Sequence, residues 1–346
     1  MSTAWISRGC ARAVIAALVL VAAPITTAAA DGLPLAVEES ASGVLSHDRS
    51  SRYLSITLRD RTAVLAQQAD GVVTSRSDLR GRFGIPLVAY DSTAGGISAD
   101  GRTLVLIRPR ARFPRRDTTF AVMSTKPHLR LRRIVRLPGD FSYDALSPDG
   151  HSLFLIKYIS PRDPTQYRVR VYDLARDRLN PRPVVDPREP PDAMNGLPVT
   201  RVSSPDGRWA YTLYDAAGKH PFVHALDTRD RKAVCIDLEG PAFTPGGATY
   251  GLRLAVAANG TRLDVRRNRA TLATVDTATL RVRSGTPEGT SAAAPLAGPE
   301  ASEPAGRDLV WPAVGAALLI VALLARHRAR RRGRRPDTGL AGEVDG

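Results

Sequence analysis

One short pattern returns along the middle of the chain, and it demands hairpins. Ser98-Ala-Asp100-Gly101-Arg-Thr-Leu-Val-Leu, Ser147-Pro148-Asp149-Gly150-His-Ser-Leu-Phe-Leu, Ser204-Pro205-Asp206-Gly207-Arg-Trp-Ala-Tyr and Ala257-Ala258-Asn259-Gly260-Thr-Arg-Leu-Asp-Val each set a turn before an apolar strand. The glycines stand 49, 57 and 53 residues apart, and a degenerate copy, Ser46-His47-Asp48-Arg49, precedes Tyr53-Leu54-Ser55-Ile56. Asp-Gly and Asn-Gly supply the positive φ of a two-residue hairpin turn, so each copy is expected to join two antiparallel strands. A second strand trails each turn and closes on an aspartate: Val169 to Asp173, Phe222 to Asp227, Leu272 to Asp276. Basic strands such as Leu131-Arg-Arg-Ile-Val-Arg136 follow. Four short strands per interval make one propeller blade. No stretch of the body sustains a helical apolar period, which argues against an α/β enzyme core.

These residues carry a resemblance. Ser-Pro-Asp-Gly before an apolar strand, with a later Tyr/Val-Asp-Leu/Thr strand end, resembles the TolB-like and YncE-like β-propeller repeats of bacterial envelope proteins. The likeness covers residues 46 to 285 and is strongest at 147–174, 204–228 and 252–283. It implies an all-β propeller; the countable units give about five four-stranded blades, with six the alternative, where the family often has six or seven. Thr244-Pro245-Gly246-Gly247 could head a further blade, but it stands only 13 residues before Gly260 and reads as an interblade loop. The motif specifies architecture and no chemistry.

The ends of the chain place the body. Residues 1–30 open with Arg8 and Arg12, continue through the apolar run Ala13 to Ala23, break at Pro24 and reach Ala28-Ala29-Ala30, which reads as a signal peptide cleaved after Ala30. Residues 31–285 are the extracytoplasmic body. Thr286 to Asp308 is a Pro/Ala/Gly-rich stalk with nothing to pack. Leu309 to Ala325 holds 17 residues without a charge, enough for one membrane span, with Trp311 at its outer edge. Residues 326–346 follow as a tail beginning with Arg326, Arg328, Arg330, Arg331, Arg332, Arg334 and Arg335, a cluster that stays on the cytoplasmic side. The expectation is a single-pass membrane protein with its body outside.

The search for chemistry returns little. There is no Gly-x-Ser-x-Gly; Gly96-Ile-Ser98-Ala-Asp100 comes nearest and is better read as a blade turn. Ser98 to Thr103 also approaches the Asp-box of sialidases, itself a structural turn, and no paired carboxylates accompany it. Of two cysteines, Cys10 falls in the signal peptide and leaves Cys235 as the lone mature thiol, which excludes a disulfide scaffold and a cysteine-built zinc site. His220 and His224 would share one strand face without further metal ligands in view. The turn aspartates Asp100, Asp149 and Asp206 are expected to bind local backbone N–H groups. No catalytic residue, metal or cofactor is assigned.

Charge suggests the one ligand class. The 346 residues carry 49 Lys+Arg against 34 Asp+Glu, a net +15, but only four of those cations are Lys, an Arg bias that looks like base composition and is weak support for nucleic acid, which is not expected as a partner. Residues 102–136 concentrate ten Arg and one Lys against the single acid Asp117. Within them Arg110, Arg112, Arg115 and Arg116 lie between the second and third strands of a blade, on the propeller face that also carries Ser160 to Gln166 and Asp215 to His220. The loop from Asn180 to Pro198 joins that face. The candidate binding set is therefore Arg110, Arg112, Arg115, Arg116, Arg162, Asp163, Asp192, Asn195, Lys219 and His220, facing an anionic envelope polymer or an envelope protein. The leading reading is a non-enzymatic binding module. The alternatives are a propeller hydrolase or lyase with a funnel site, and an accessory part of an export system.

Overall fold

The repeated turn is where each sheet takes its shape. The computed structural model describes residues 42–189, 195–216 and 218–285. The expected signal peptide, stalk, span and basic tail lie outside the described residues. Among those described, no helix is long and apolar enough to cross a membrane.

The described chain forms five antiparallel meanders. The first contains β1 (Val44–Leu45), β2 (Ser51–Leu58), β3 (Arg61–Gln68) and β4 (Val73–Arg80). The second has β5 (Thr103–Ile107), β6 (Asp117–Ser124) and β7 (Arg130–Pro138). The third has β8 (Phe141–Leu146), β9 (Ser152–Tyr158), β10 (Tyr167–Asp173) and β11 (Arg178–Leu179). The fourth runs through β12 (Leu197–Ser203), β13 (Trp209–Asp215), β14 (Phe222–Asp227) and β15 (Lys232–Asp237), and the fifth through β16 (Leu252–Val256), β17 (Arg262–Arg267), β18 (Ala270–Asp276) and β19 (Val282–Ser284).

The turns differ from expectation in one respect. Ser147 and Ser152 bracket a four-residue loop, with Gly150 N–H donating to Ser147 O at 2.8 Å and Ser147 N–H to Ser152 O at 2.9 Å. Only Gly150 takes a positive φ (68°); Asp149 does not. The aspartate serves instead as an acceptor: its Oδ1 takes Ser147 Oγ–H at 2.5 Å and His151 N–H at 3.0 Å. Ser98/Asp100 and Ser204/Asp206 repeat the arrangement. The strand-closing aspartates work likewise, Asp173, Asp227 and Asp276 each accepting two backbone N–H groups of the next turn. Such local acceptors satisfy turn amides that no ladder reaches.

Packing between sheets follows from the two-residue strand period. In β5, Leu104 and Leu106 join Val64, Leu79, Phe83 and Ile85 of the first seam, while Val105 and Ile107 join Phe141, Tyr143, Leu153 and Leu155 of the next. A strand buried on both faces reads as a continuous apolar run, and each fully buried Leu or Ile contributes roughly 1.5–3 kcal/mol. Phe154, Val169 and Val171 meet Ala210, Tyr214 and Leu226 between sheets three and four. Tyr211, Leu213 and Val223 meet Leu252, Leu263 and Val265 between four and five.

The second sheet lacks a continuous innermost strand because the chain leaves it midway. Gly84 bridges Ile107 and Ile97 bridges Leu104, on the same edge of β5. Between them Pro86 to Gly95 departs as a hairpin, closed by the Leu87/Ala94 bridge and by Val88 N–H on Thr93 O at 2.9 Å. Its tip crosses to the fourth sheet, where Tyr90 N–H reaches Pro198 O at 3.0 Å and Asp91 N–H reaches Val199 O at 3.2 Å. The Tyr90 ring meets Tyr250 edge-on at 5.6 Å. At the turn end, His47 Nε2 contacts Pro205 O, and Asp100 N–H donates to Pro148 O at 3.0 Å. Turns from different sheets thus interlock.

Candidate functional site

A wide concavity follows from how the fourth sheet ends. β13 leaves its repeat turn at Trp209 and finishes at Asp215, and β15 finishes at Asp237 opposite Phe222. The loops after β13 and β15 and the interblade loop before β12 therefore meet at the end away from the repeat turns. They enclose a cleft of about 650 Å³ lined by Val185, Asp186, Glu189, Asn195, Lys219, His220, Phe222, Cys235, Asp237 and Glu239, among others. Phe222 belongs to its wall and stacks on Tyr214 at 5.2 Å with planes 8° apart.

Asp186 is the cleft's buried anchor. Its carboxylate holds Arg188 Nη2 at 2.6 Å, Arg188 N–H at 2.9 Å and Cys235 N–H at 2.7 Å. Burial opposes its charge, but Arg188 and the two backbone donors outweigh burial and bring the carboxyl down to about 2. The same surroundings act oppositely on Cys235. Burial, then Asp186, Glu189 and Asp237, push its thiol up to about 12, so it stays protonated and a poor nucleophile. The His220 ring is fixed through Nδ1 on Phe243 O at 2.7 Å. Asp237 and Glu239 are exposed at the cleft's margin. Asp186 is already paired with Arg188, which leaves Glu189, Asp237 and Glu239 against one ammonium, Lys219, in the lining. In a chain of net +15 the cleft is acidic.

The sequence-derived set divides. Asn195, Lys219 and His220 line the cleft together. Asn195 bridges Gln166, which brings the loop bearing Arg162 and Asp163 alongside. Arg162 is exposed, whereas Asp163 spends its oxygens on Thr165 and Gln166 of its own loop. Arg112 and Arg116 are exposed. Asp192 lies outside the described residues.

Arg110 and Arg115 correct the expectation of a solvent-facing cationic rim. Arg110 Nη2 pairs with Asp140 Oδ1 at 2.7 Å and reaches Ser142 Oγ at 3.1 Å, its guanidinium 5.0 Å from the centre of the Tyr158 ring. Arg115 Nε pairs with the same carboxylate at 3.1 Å, its N–H adds a bond at 2.9 Å, and its other nitrogens cap Arg108 O and Phe141 O. Burial and the neighbouring Arg110 bring the Arg115 guanidinium down to about 10. Asp140, just after Gly139 where the third sheet begins, draws both inward because a buried carboxylate requires compensating charge. His220 and His224 also part company. His224 is buried on β14, opposite Thr212 and Cys235, while His220 is exposed in the loop before it.

Sequence reasoning missed Asp186, Asp237 and Glu239 as site residues and treated Cys235 only as a thiol count. Asp186 stood within the Asn180 to Pro198 loop already suspected of recognition. Nothing local marks it as the residue that would bind Cys235 across 49 positions.

No family model matches the chain, and no curated protein matches it. Among solved structures it aligns with TolB from Acinetobacter baumannii at 13% identity over 67% of this chain and 50% of that one, with a TM-score of 0.38. It aligns with prolyl oligopeptidase B from Galerina marginata at 14% identity over 69% of this chain and 33% of that one, with a TM-score of 0.44. The Cps50 (Swd1) β-propeller domain from Myceliophteria thermophila gives 14% identity, 71% and 70% coverage and a TM-score of 0.42. The chain thus spans half the length of the TolB chain and a third of the oligopeptidase. The described residues are all-β and built into antiparallel sheets, with TolB and other β-propeller proteins among the chain's structural neighbours.

Proposed function

We propose that the chain is a non-enzymatic, membrane-tethered propeller that captures a partner protein through the acidic cleft on its fourth sheet. The observation carrying this reading is the lining itself: carboxylates over an apolar wall, with the one thiol held protonated. Such a surface suits an extended basic segment, whose ammonium or guanidinium heads meet Asp237 and Glu239 while the alkyl stems lie over Phe222. Of the two partner classes that the sequence suggested, the cleft favours a protein over an anionic polymer. The tether is the expected span at 309–325, and the Arg-rich tail behind it sets the body outside the cytoplasm.

The test uses the full chain in detergent micelles and fluorescent peptides of equal length, one Lys/Arg-rich and one Glu-rich. Anisotropy should rise for the basic peptide alone, and Asp237→Asn with Glu239→Gln should weaken that binding at least tenfold. Equal binding of the two peptides, or indifference to the double substitution, would overturn the reading. Protease added to intact protoplasts should remove the body and spare the tail.

A further inference from the structure

Two charged side chains hold equivalent places in neighbouring repeats. Three positions before the first residue of each repeat turn (Ser46, Ser98, Ser147, Ser204 and Ala257) stand Gly43, Gly95, Asp144, Arg201 and Leu254, so charge enters this series only on the third and fourth sheets. Asp144 is the extra residue of a β-bulge, where β8 shifts register between Tyr143 and Ala145. Residues two apart on a regular strand share a face, but here Tyr143 packs into the seam with the second sheet and Ala145 into the seam with the fourth. The bulge takes Asp144 out of that alternation, on an edge strand of its sheet.

Arg201 of β12 meets it there. Its Nη2 binds Asp144 Oδ1 and its Nη1 donates to Asp144 O at 2.8 Å, with side chains only 7% and 2% exposed. Each residue nevertheless keeps one buried polar atom without a hydrogen-bond partner, Asp144 Oδ2 and Arg201 Nε. A buried acceptor and a buried donor left unmet are both costly. The two residues line one cavity of about 190 Å³. The hairpin that leaves the second sheet supplies Val88, Thr93, Ala94 and Gly95 to its wall, and Leu146, Val202 and Ala210 add apolar surface. Thr93, Ser98 and Thr228 also border it but spend their hydroxyls on Asp91, Asp100 and Arg208 O, at 2.5, 2.6 and 2.7 Å. What the buried lining offers a ligand is thus one acceptor and one donor, on an ion pair that cancels its own charge.

We propose that this cavity binds a small uncharged carboxamide with an apolar body. The amide N–H meets Asp144 Oδ2, its carbonyl accepts from Arg201 Nε, and the body lies against Val88, Ala94 and Val202. The size agrees, because a cavity of about 150 Å³ holds benzene, and about 190 Å³ takes a six-membered ring with a carboxamide. A carboxylate or an ammonium of the same shape would bring an uncompensated charge to a buried pair that is already neutral. The site is separate from the acidic cleft, whose lining shares none of these residues.

The experiment uses the full chain in detergent micelles and three probes of one shape, benzamide, benzoate and benzylammonium, titrated by ligand-observed NMR against empty micelles. Benzamide should bind at least tenfold more tightly than either ion. Ala94→Leu, which fills part of the cavity and leaves the ion pair intact, should weaken benzamide at least tenfold. Asp144→Leu with Arg201→Met exchanges the buried pair for apolar residues, a replacement that folded proteins often tolerate, and should erase the preference for the amide. If that double variant unfolds, Ala94→Leu decides. Asp237→Asn with Glu239→Gln, in the acidic cleft, should leave benzamide binding unchanged. Equal binding of the three probes, or benzamide binding indifferent to Ala94→Leu, would overturn the proposal. No benzamide binding to the unaltered chain would assign the cavity to ordered water only and overturn it as well.

Discussion

Arg110 meets Asp140 at 2.7 Å with side chains only 5% and 2% exposed, and so belongs to the junction of the second and third sheets and not to its surface. Removing one partner of a buried pair strands the other. Asp140→Asn, which strands both Arg110 and Arg115, should therefore lower unfolding free energy by about 3–5 kcal/mol, and Arg110→Gln, which leaves Asp140 paired with Arg115, should cost about 1–3 kcal/mol. Arg112→Gln and Arg116→Gln, both exposed, should stay within about 0.5 kcal/mol. Urea denaturation of the four variants separates the groups, and equal effects across all four would contradict the division.

The turns allow a graded comparison. Gly101 and Gly150 share a positive φ, 67° and 68°, but a Cβ at Gly150 would collide with Thr103, whereas the nearest atom to one at Gly101 is Lys126 Nζ at 4.0 Å. Gly101→Ala should cost about 1–2 kcal/mol through backbone strain alone. Gly150→Ala should cost more, since a backbone or side chain must also move. In the degenerate copy Arg49 holds the same conformation at φ 60°, so Arg49→Gly should raise stability by up to about 1 kcal/mol. Thermal melts of the three variants give the order directly.

His224 makes stability fall on mild acidification. Burial lowers its ring from 6.5 to about 4, more than Asp144 and Asp186 can restore. Because the folded pKa lies below the unfolded one, the unfolded chain binds the proton first. Stability is full above about pH 6.5 and declines from there to about pH 4, by up to about 1.4 kcal/mol per pH unit. His224→Gln should flatten that limb of the stability profile; an unchanged slope would assign it to other groups.

Cys235 should be sluggish toward alkylating reagents. A thiol moved from 9.0 to about 12 exposes roughly a thousandfold less thiolate at pH 8 than an ordinary one. Iodoacetamide labelling of the folded chain, against the same chain in urea, measures this. Rapid labelling when folded would reopen the case for a nucleophile in the cleft.

What the sequence by itself determined was local. A serine, an aspartate and a glycine within four positions suffice to build the Ser147 to Gly150 turn, and the unbroken apolar run Leu104 to Ile107 marks the strand that follows the Asp100-Gly101 turn. Even there, the pattern predicted a two-residue turn, and the four-residue loop arose because Asp149 binds His151 N–H instead of taking a positive φ. The tertiary structure decided everything that depends on charges meeting across sheets. Asp140 withdraws Arg110 and Arg115 from the rim across 30 and 25 positions, Asp186 reaches Cys235 across 49, and Pro86 to Gly95 leaves its own sheet to pair with the fourth. An arginine's composition is the same whether it faces water or a buried carboxylate. Its role is settled only when folding places that carboxylate out of solvent, where charge without a partner costs far more than it does at the surface.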